Sequence, residues 1–220
     1  MTPILQVNAS IVNEHLTIYP LIPFEAGHGW SLELLEPAGP LTIRDVAKRQ
    51  WIVLVEGELW VAKESESPVL FRMGESFSID PGFSYTLIPE GRARCFSVTW
   101  KNDVPHSELE QKYLGERIDA GDYGVYELIG GDTTEQKWSA ALLDIQDSPR
   151  HFHRIETEHF IVAQGTLKIE IDGQQHLFET GDAVVLYPGM IHQLTSATDS
   201  PVQVLCFNFP AFDPSDLCLI

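Results

Sequence analysis

Within residues 151–165, HFHRIETEHFIVAQG, two histidines flank one residue, a glutamate follows, and a glycine closes the stretch. On an extended chain alternate side chains share a face, so His151 and His153 can present both imidazoles to one ion. Glu158 comes after four intervening residues and Gly165 after six more. Further on, GDAVVLYPGMIHQL carries a turn at Pro188-Gly189 and then His192, three residues past the glycine. A single histidine is more often a surface or satisfied core residue than a ligand. Ligand types recurring at set spacings are what favour a metal site over a charged strand edge.

The elements that would position these residues are mostly strands. Segments 51–62, WIVLVEGELWVA, and 159–171, HFIVAQGTLKIEI, combine β-branched and aromatic residues with turn glycines. LKIEIDGQQHLF reads as a hairpin with Asp172-Gly173 at the turn. The one helical pattern, PHSELEQKYLGE over 105–116, lies mid-chain, where a domain connection is expected.

The chain also echoes itself. Trp30 begins WSLELLEPAGP and Trp138 begins WSAALLDIQDSP, 108 residues later, and Gly57 and Gly165 share that offset. Gly74 and Gly181, like Pro81 and Pro188, stand 107 apart, a slip of one residue in a turn. An offset this constant marks an internal duplication of a β unit of roughly 80 residues. Many short strands divided by turn signals imply a small barrel or jelly roll in each half. One half then serves as a control for the other. Ile43, Asp45 and Gln50 stand opposite His151, His153 and Glu158, and Tyr85 stands opposite His192. The first half keeps the landmark glycines and prolines without the imidazoles, so the differing residues are the candidates for chemistry.

At these residues the chain resembles the cupin superfamily. The first cupin motif, H-x-H-x4-E-x6-G, is met by His151, His153, Glu158 and Gly165. The second, a glycine, a proline-glycine turn and a histidine, is matched by Gly181, Pro188 and His192, with the turn glycine one residue early at Gly189. The tail FNFPAFDPSD, 207–216, resembles the closing segment of small cupin enzymes. The resemblance implies an all-β fold of two tandem cupin (jelly-roll-like) β-barrels joined by a short helix. Its expected parts are a degenerate N-terminal barrel over 1–104, a connecting segment over 105–136 and a metal-binding barrel over 137–220.

It also implies the ligand set His151, His153, Glu158 and His192. Three neutral imidazoles and a carboxylate suit one borderline divalent transition metal, such as iron, manganese, zinc or nickel. That set leaves coordination positions for water or substrate, as a reactive site requires. Glu158 is the candidate catalytic group, as a permanent ligand or as a base that leaves the ion. Phe160 and Val162, in register with Glu158, are expected to line a dry cavity. His159 should face away from Glu158 and, like His176, be solvated; His15, His28 and His106 stand alone. Trp51, Trp60 and Trp100 are expected to pack cores or an interface, and Tyr85 to fill the first core. Tyr187 and Arg154 lie beside the ligands in sequence and are assigned no role.

Composition narrows the partners. At 220 residues and 44% hydrophobic, the chain can bury an ordinary core. A formal charge of −18, with no strong basic cluster, disfavours nucleic acid, so an anionic substrate would need a locally positive site such as a bound cation. Cys95, Cys206 and Cys218 form no CxxC pair, which fits a reducing compartment. The absence of a long apolar run and of a signal-like start point to a soluble cytoplasmic protein without membrane contact. The expectation is therefore a metal-dependent enzyme, dioxygenase or isomerase/lyase, acting on a small molecule as a monomer or homodimer. The competing reading is a non-enzymatic metal- or ligand-binding, sensory cupin protein.

Overall fold

A computed structural model describes residues 10–13, 15–22, 29–44, 49–64, 66–100 and 116–220. The described residues up to 100 form one compact unit and those from 116 onward another. Residues 105–115 of the expected helix, with Asp45, His28 and His106, lie outside the described residues, and Glu116 is not helical. No helix of the described residues is long and apolar enough to cross a membrane.

Each unit holds two antiparallel sheets. In the first, one sheet runs in the order Ser10–Asn13, Leu16–Ile22, Trp30–Pro37, Arg94–Trp100, Gln50–Glu56, Ser76–Ile79. The other runs Leu41–Ile43, Tyr85–Pro89, Glu58–Lys63, Val69–Arg72. The second unit repeats the order: Arg117–Asp119, Tyr123–Ile129, Ser139–Ile145, Val202–Phe209, Thr157–Gln164, Ala183–Leu186. Its other sheet runs Gln174–Glu179, Thr166–Ile171, His192–Ser196, His151–His153, Leu217–Leu219. The duplication therefore extends to strand order, and both units are jelly-roll barrels. Within 105–136, the stretch expected to connect them, Arg117–Asp119 and Tyr123–Ile129 are strands of the second unit's larger sheet.

Alternation builds the cores. Along Thr166–Ile171, Leu167 and Ile169 point inward and are fully buried. They meet Phe160 and Val162 from the facing sheet, so the core lies between the two sheets of the barrel. In the first unit Ile52 and Leu54 meet Leu59 and Leu87 in the same manner. Turn chemistry sets the registers. Asp172 and Gly173 both take positive φ, 48° and 84°, which a two-residue hairpin matching the strand twist needs. Gly57 has φ 80°, and a Cβ there would stand 2.1 Å from the Arg92 carbonyl oxygen, so no other residue fits this repeat position unstrained.

Candidate metal centre

Three imidazoles come from one sheet and the carboxylate from the sheet facing it. His151 and His192 are direct register partners on adjacent antiparallel strands, with ring centroids 4.2 Å apart. His153 is two residues along from His151 on the same face, at a centroid distance of 5.2 Å. Glu158 projects from Thr157–Gln164 in the opposite sheet, where it pairs with Leu186 on one side and Asn208 on the other. The four residues are buried, and one nitrogen or oxygen of each lies within 4.8 Å of all the others. The spacing expected to gather His151, His153, Glu158 and His192 does so.

Hydrogen bonds at the rear of two rings fix which nitrogen faces inward. His151 Nδ1 donates to the Pro149 carbonyl oxygen at 2.8 Å, and His192 Nδ1 donates to that of Met190 at 3.0 Å. With the proton held on Nδ1, each Nε2 carries a bare lone pair. The Tyr187–Met190 turn that places the Met190 carbonyl is closed by a bond from the Met190 N–H to the Tyr187 carbonyl oxygen, with Gly189 at φ 85°. The N–H of Gly189 in turn donates to the His153 carbonyl at 2.7 Å, tying the two motifs together.

The inward atoms fit an ion better than they fit one another. His192 Nε2 and Glu158 Oε2 are 3.1 Å apart, and His153 Nε2 and Glu158 Oε1 are 3.5 Å apart. Neither His192 Nε2 nor Glu158 Oε2 has a hydrogen-bond partner, although both are buried. Leaving a buried polar atom unsatisfied costs about 1–3 kcal/mol, and more for a charged one, so such an array calls for a shared cation. Electrostatics prepare the same state. Burial, aided by the neighbouring His192, lowers the pKa of His151 and keeps that ring neutral. Burial alone would raise the Glu158 carboxyl, but the surrounding imidazoles in their proton-bearing form, His192 foremost through a hydrogen bond and charge, more than offset it and hold it below its ordinary value. A cation in the place of those protons would act in the same direction. Neutral imidazoles and an ionised carboxylate are the forms that bind metal.

Two carboxylates stand behind His153. Its Nδ1 lies 3.5 Å from Glu156 Oε2 and 3.6 Å from Asp216 Oδ2, and both acids are buried. Burial pushes Glu156 up to about 8, although the Asp213 N–H and Asn208 pull the other way. Asp216 moves oppositely: burial works against it, but backbone N–H groups of Ile155, Glu156 and Arg154 bring its pKa below the usual range. The Asn208 amide donates to Glu156 Oε2 at 3.0 Å and stands 3.5 Å from Glu158 Oε1. Glu156, Asn208 and Asp216 are not anticipated by the motif spacing, since their roles depend on strands that meet only in the fold.

Other expectations sort as follows. Phe160 and Val162 are buried in the core, and the Phe160 ring stands 6.3 Å from that of His192. His159 is not solvated: it is 3% exposed and packs edge-on to Phe209. Its strand is paired on both sides and its successive residues from Glu158 to Ala163 are all buried, so facing away from Glu158 does not mean facing water. His176 is exposed, as expected. Trp100 is buried, but Trp60 stays at the surface with its Nε1 donating to Glu90. Tyr187 is largely exposed, and Arg154 turns outward to Cys218 Sγ at 3.1 Å, so neither reaches the ligands.

Residues 144–208 match the family model described as the cupin domain, a span that contains all four ligands. The C-terminal barrel is a cupin domain. No curated protein matches the chain. Solved structures similar to it include the Lactobacillus farciminis oxalate decarboxylase formate complex, 12% identical, covering 100% of this chain and 88% of that one, TM-score 0.45. Another is a Bacillus subtilis oxalate decarboxylase mutant, 13% identical, covering 96% and 76%, TM-score 0.40. A third is a cupin 2 conserved barrel domain protein from Leptotrichia buccalis, 12% identical, covering 91% of each chain, TM-score 0.38.

Proposed function

We propose that the protein is a mononuclear-metal enzyme that acts on a small organic molecule inside the C-terminal cupin barrel. One observation carries this reading: four buried donors from two facing sheets converge, with the inward atoms of His192 and Glu158 facing each other at 3.1 Å without a hydrogen bond. Three nitrogens and one oxygen suit a borderline divalent ion and leave positions for a substrate oxygen. A bound ion of this kind supplies Lewis acidity or, if it is iron, redox chemistry toward dioxygen.

The chain's own groups define the rest of the site. His151 and His192 hold their Nε2 lone pairs inward through their carbonyl-bound Nδ1 protons. Glu158 accepts a proton only if it leaves the ion, and Asn208, 3.5 Å away, is placed to hold its Oε1 when it does. Phe160, 6.3 Å from the His192 ring, and Leu186, the strand partner of Glu158, are apolar and buried beside the ligands. Against the chain's net charge of −18, an anionic substrate would need the ion as its local attraction.

The test is elemental analysis of untagged protein purified without chelator. About one iron per chain, with oxygen uptake on diketones or catechol-like compounds, selects dioxygen chemistry. About one zinc, manganese or nickel, with turnover of sugars or keto acids, selects Lewis-acid isomerase or lyase chemistry. Protein that stays metal-free after reconstitution refutes the proposal.

A further inference from the structure

Among the described residues, the smaller sheets of the two units differ by one strand. In the N-terminal unit that sheet ends, among the described residues, at Leu41–Ile43, the counterpart of the ligand strand. In the C-terminal unit the ligand strand is covered by Leu217–Leu219, in the register His151–Leu219, Phe152–Cys218 and His153–Leu217. The tail thus returns to pair with the strand that carries two of the three imidazoles.

The approach to that strand is built from hydrogen bonds aimed at one turn. Asp216 Oδ1 accepts the Arg154 N–H at 3.1 Å, and its Oδ2 accepts those of Ile155 and Glu156 at 3.2 and 3.1 Å. Three successive amides converging on one carboxylate fix the link between the strand holding His153 and the strand holding Glu158. Glu156, at the end of that turn, accepts the Asp213 N–H from the tail at 2.7 Å and the Asn208 amide at 3.0 Å. The Phe212 ring stands edge-on to His153 at 6.2 Å. The Ile220 N–H closes the strand end onto the Arg150 carbonyl oxygen.

His153, Glu156 and Asp216 together also have the residue types for a second cation. The hydrogen bonds argue against that use. Every carboxylate oxygen of Glu156 and Asp216 already receives at least one N–H, and an ion would compete with all of them. His153 is also the one ligand whose Nδ1 faces no carbonyl; it faces these two acids instead.

We propose that the C-terminal tail is a positioning element of the metal centre, with Asp216 and Glu156 orienting His153 so that its Nε2 points at the ion. This rests on the metal-site reading above. Asp216 from the tail and Glu156 from the turn it holds stand where the Pro149 and Met190 carbonyls stand for His151 and His192. They are the acceptors nearest the His153 Nδ1, at 3.5 and 3.6 Å with no hydrogen bond made. On metal binding they would take the Nδ1 proton, leave the Nε2 lone pair inward and fix the ring's rotation.

Cobalt(II) titration of the metal-free full-length protein, followed by visible ligand-field absorption, tests this. The wild type, Asp216→Ala and Glu156→Gln are compared, with thermal unfolding of each metal-free form. The Asp216→Ala chain should bind cobalt about 10–100-fold more weakly, with a shifted absorption band. Having lost the acceptor of three amides, it should also unfold at a lower temperature than metal-free wild type, so the band shift is the readout that separates positioning from stability. Glu156→Gln keeps an acceptor for the Asp213 N–H but turns an amide donor toward the ring, and should weaken binding in the same direction. Equal affinity, or weaker binding with an unchanged band, overturns the positioning role. If Asp216→Ala fails to fold, Glu156→Gln decides the matter by the same two readouts. A wild type that binds no cobalt overturns the metal reading itself, an outcome distinct from variants that match a wild type that does bind.

Discussion

The two barrels are built on one strand order and differ at the positions that would do chemistry. His151 faces His192 across a strand pair in the C-terminal barrel, and in the same place Ile43 faces Tyr85 in the N-terminal one. Glu158 sits beside Asn208, whereas Gln50 sits beside Thr99 and donates to Ser97. Tyr85 is buried in the core, its hydroxyl accepting only the Asp80 N–H at 3.4 Å. The first barrel therefore shows what the fold needs at these positions: bulk and satisfied polar groups, not ligands. The imidazoles and the carboxylate of the second barrel are held against that baseline. Burying them unpaired costs stability that an apolar or neutral residue would not.

The sharpest way to break the comparison is to make the second barrel resemble the first. Replacing His192 or His153 with alanine removes a ligand from a site whose counterpart folds without one. Metal affinity should fall on the order of 100-fold or more, beyond the loss typical of an outer partner, with the β-rich circular dichroism unchanged. Full metal occupancy in either variant, measured by elemental analysis, would show that these histidines are not ligands.

The mirror change in the first barrel should act on stability alone. Tyr85→Ala empties a packed aromatic position and should cost about 3–5 kcal/mol, read by denaturant unfolding of the N-terminal unit. Metal content should not change, and any loss of metal would mean the first barrel also holds an ion. Tyr85→Phe loses only the long contact with the Asp80 N–H and should cost less than about 1 kcal/mol.

Metal removal probes the same asymmetry without mutation. An ion present at a hundred times its dissociation constant stabilises the folded form by about 2.7 kcal/mol. Chelation should therefore lower the unfolding midpoint of the C-terminal barrel and leave that of the N-terminal barrel in place. A parallel drop in both transitions would contradict a single site.

Much of this was legible in the sequence because the relevant signals are local or periodic. The HxH alternation, the turns at Asp172-Gly173 and Pro188-Gly189, and the constant offset of the repeat need only short-range rules. What stayed hidden depends on what covers a residue. His159 obeys the alternation that turns it from Glu158, yet it is buried on that face too. Asp216 is invisible as a site residue because its partners, the Arg154 to Glu156 amides, lie about 60 residues earlier. Arg117–Asp119 is a three-residue exposed strand with little apolar signal of its own, and sheet pairing, not propensity, defines it.

The smallest effect uses the cysteines as built-in reporters of the two barrels. Burial pushes the Cys95 thiol up to about 12, and it raises Cys206 well above its ordinary value, with Glu158 and Glu156 adding to the rise. Since the thiolate is the reacting form, both should be inert to a thiol reagent in the native protein near neutral pH. Cys218, only half-buried on the edge strand, should react alone, giving one fast thiol before denaturation and three after. Cys95 lies in the core of the ligand-free barrel, whereas Cys206 lies beside Asn208, its Sγ donating to the Asn208 side-chain oxygen. Local opening of the C-terminal barrel governs access to Cys206, so loss of the ion should speed its labelling several-fold at moderate denaturant and leave Cys95 unchanged. Equal acceleration of both thiols would mean that the two barrels open as one unit, and the first could then no longer serve as an independent control for the second.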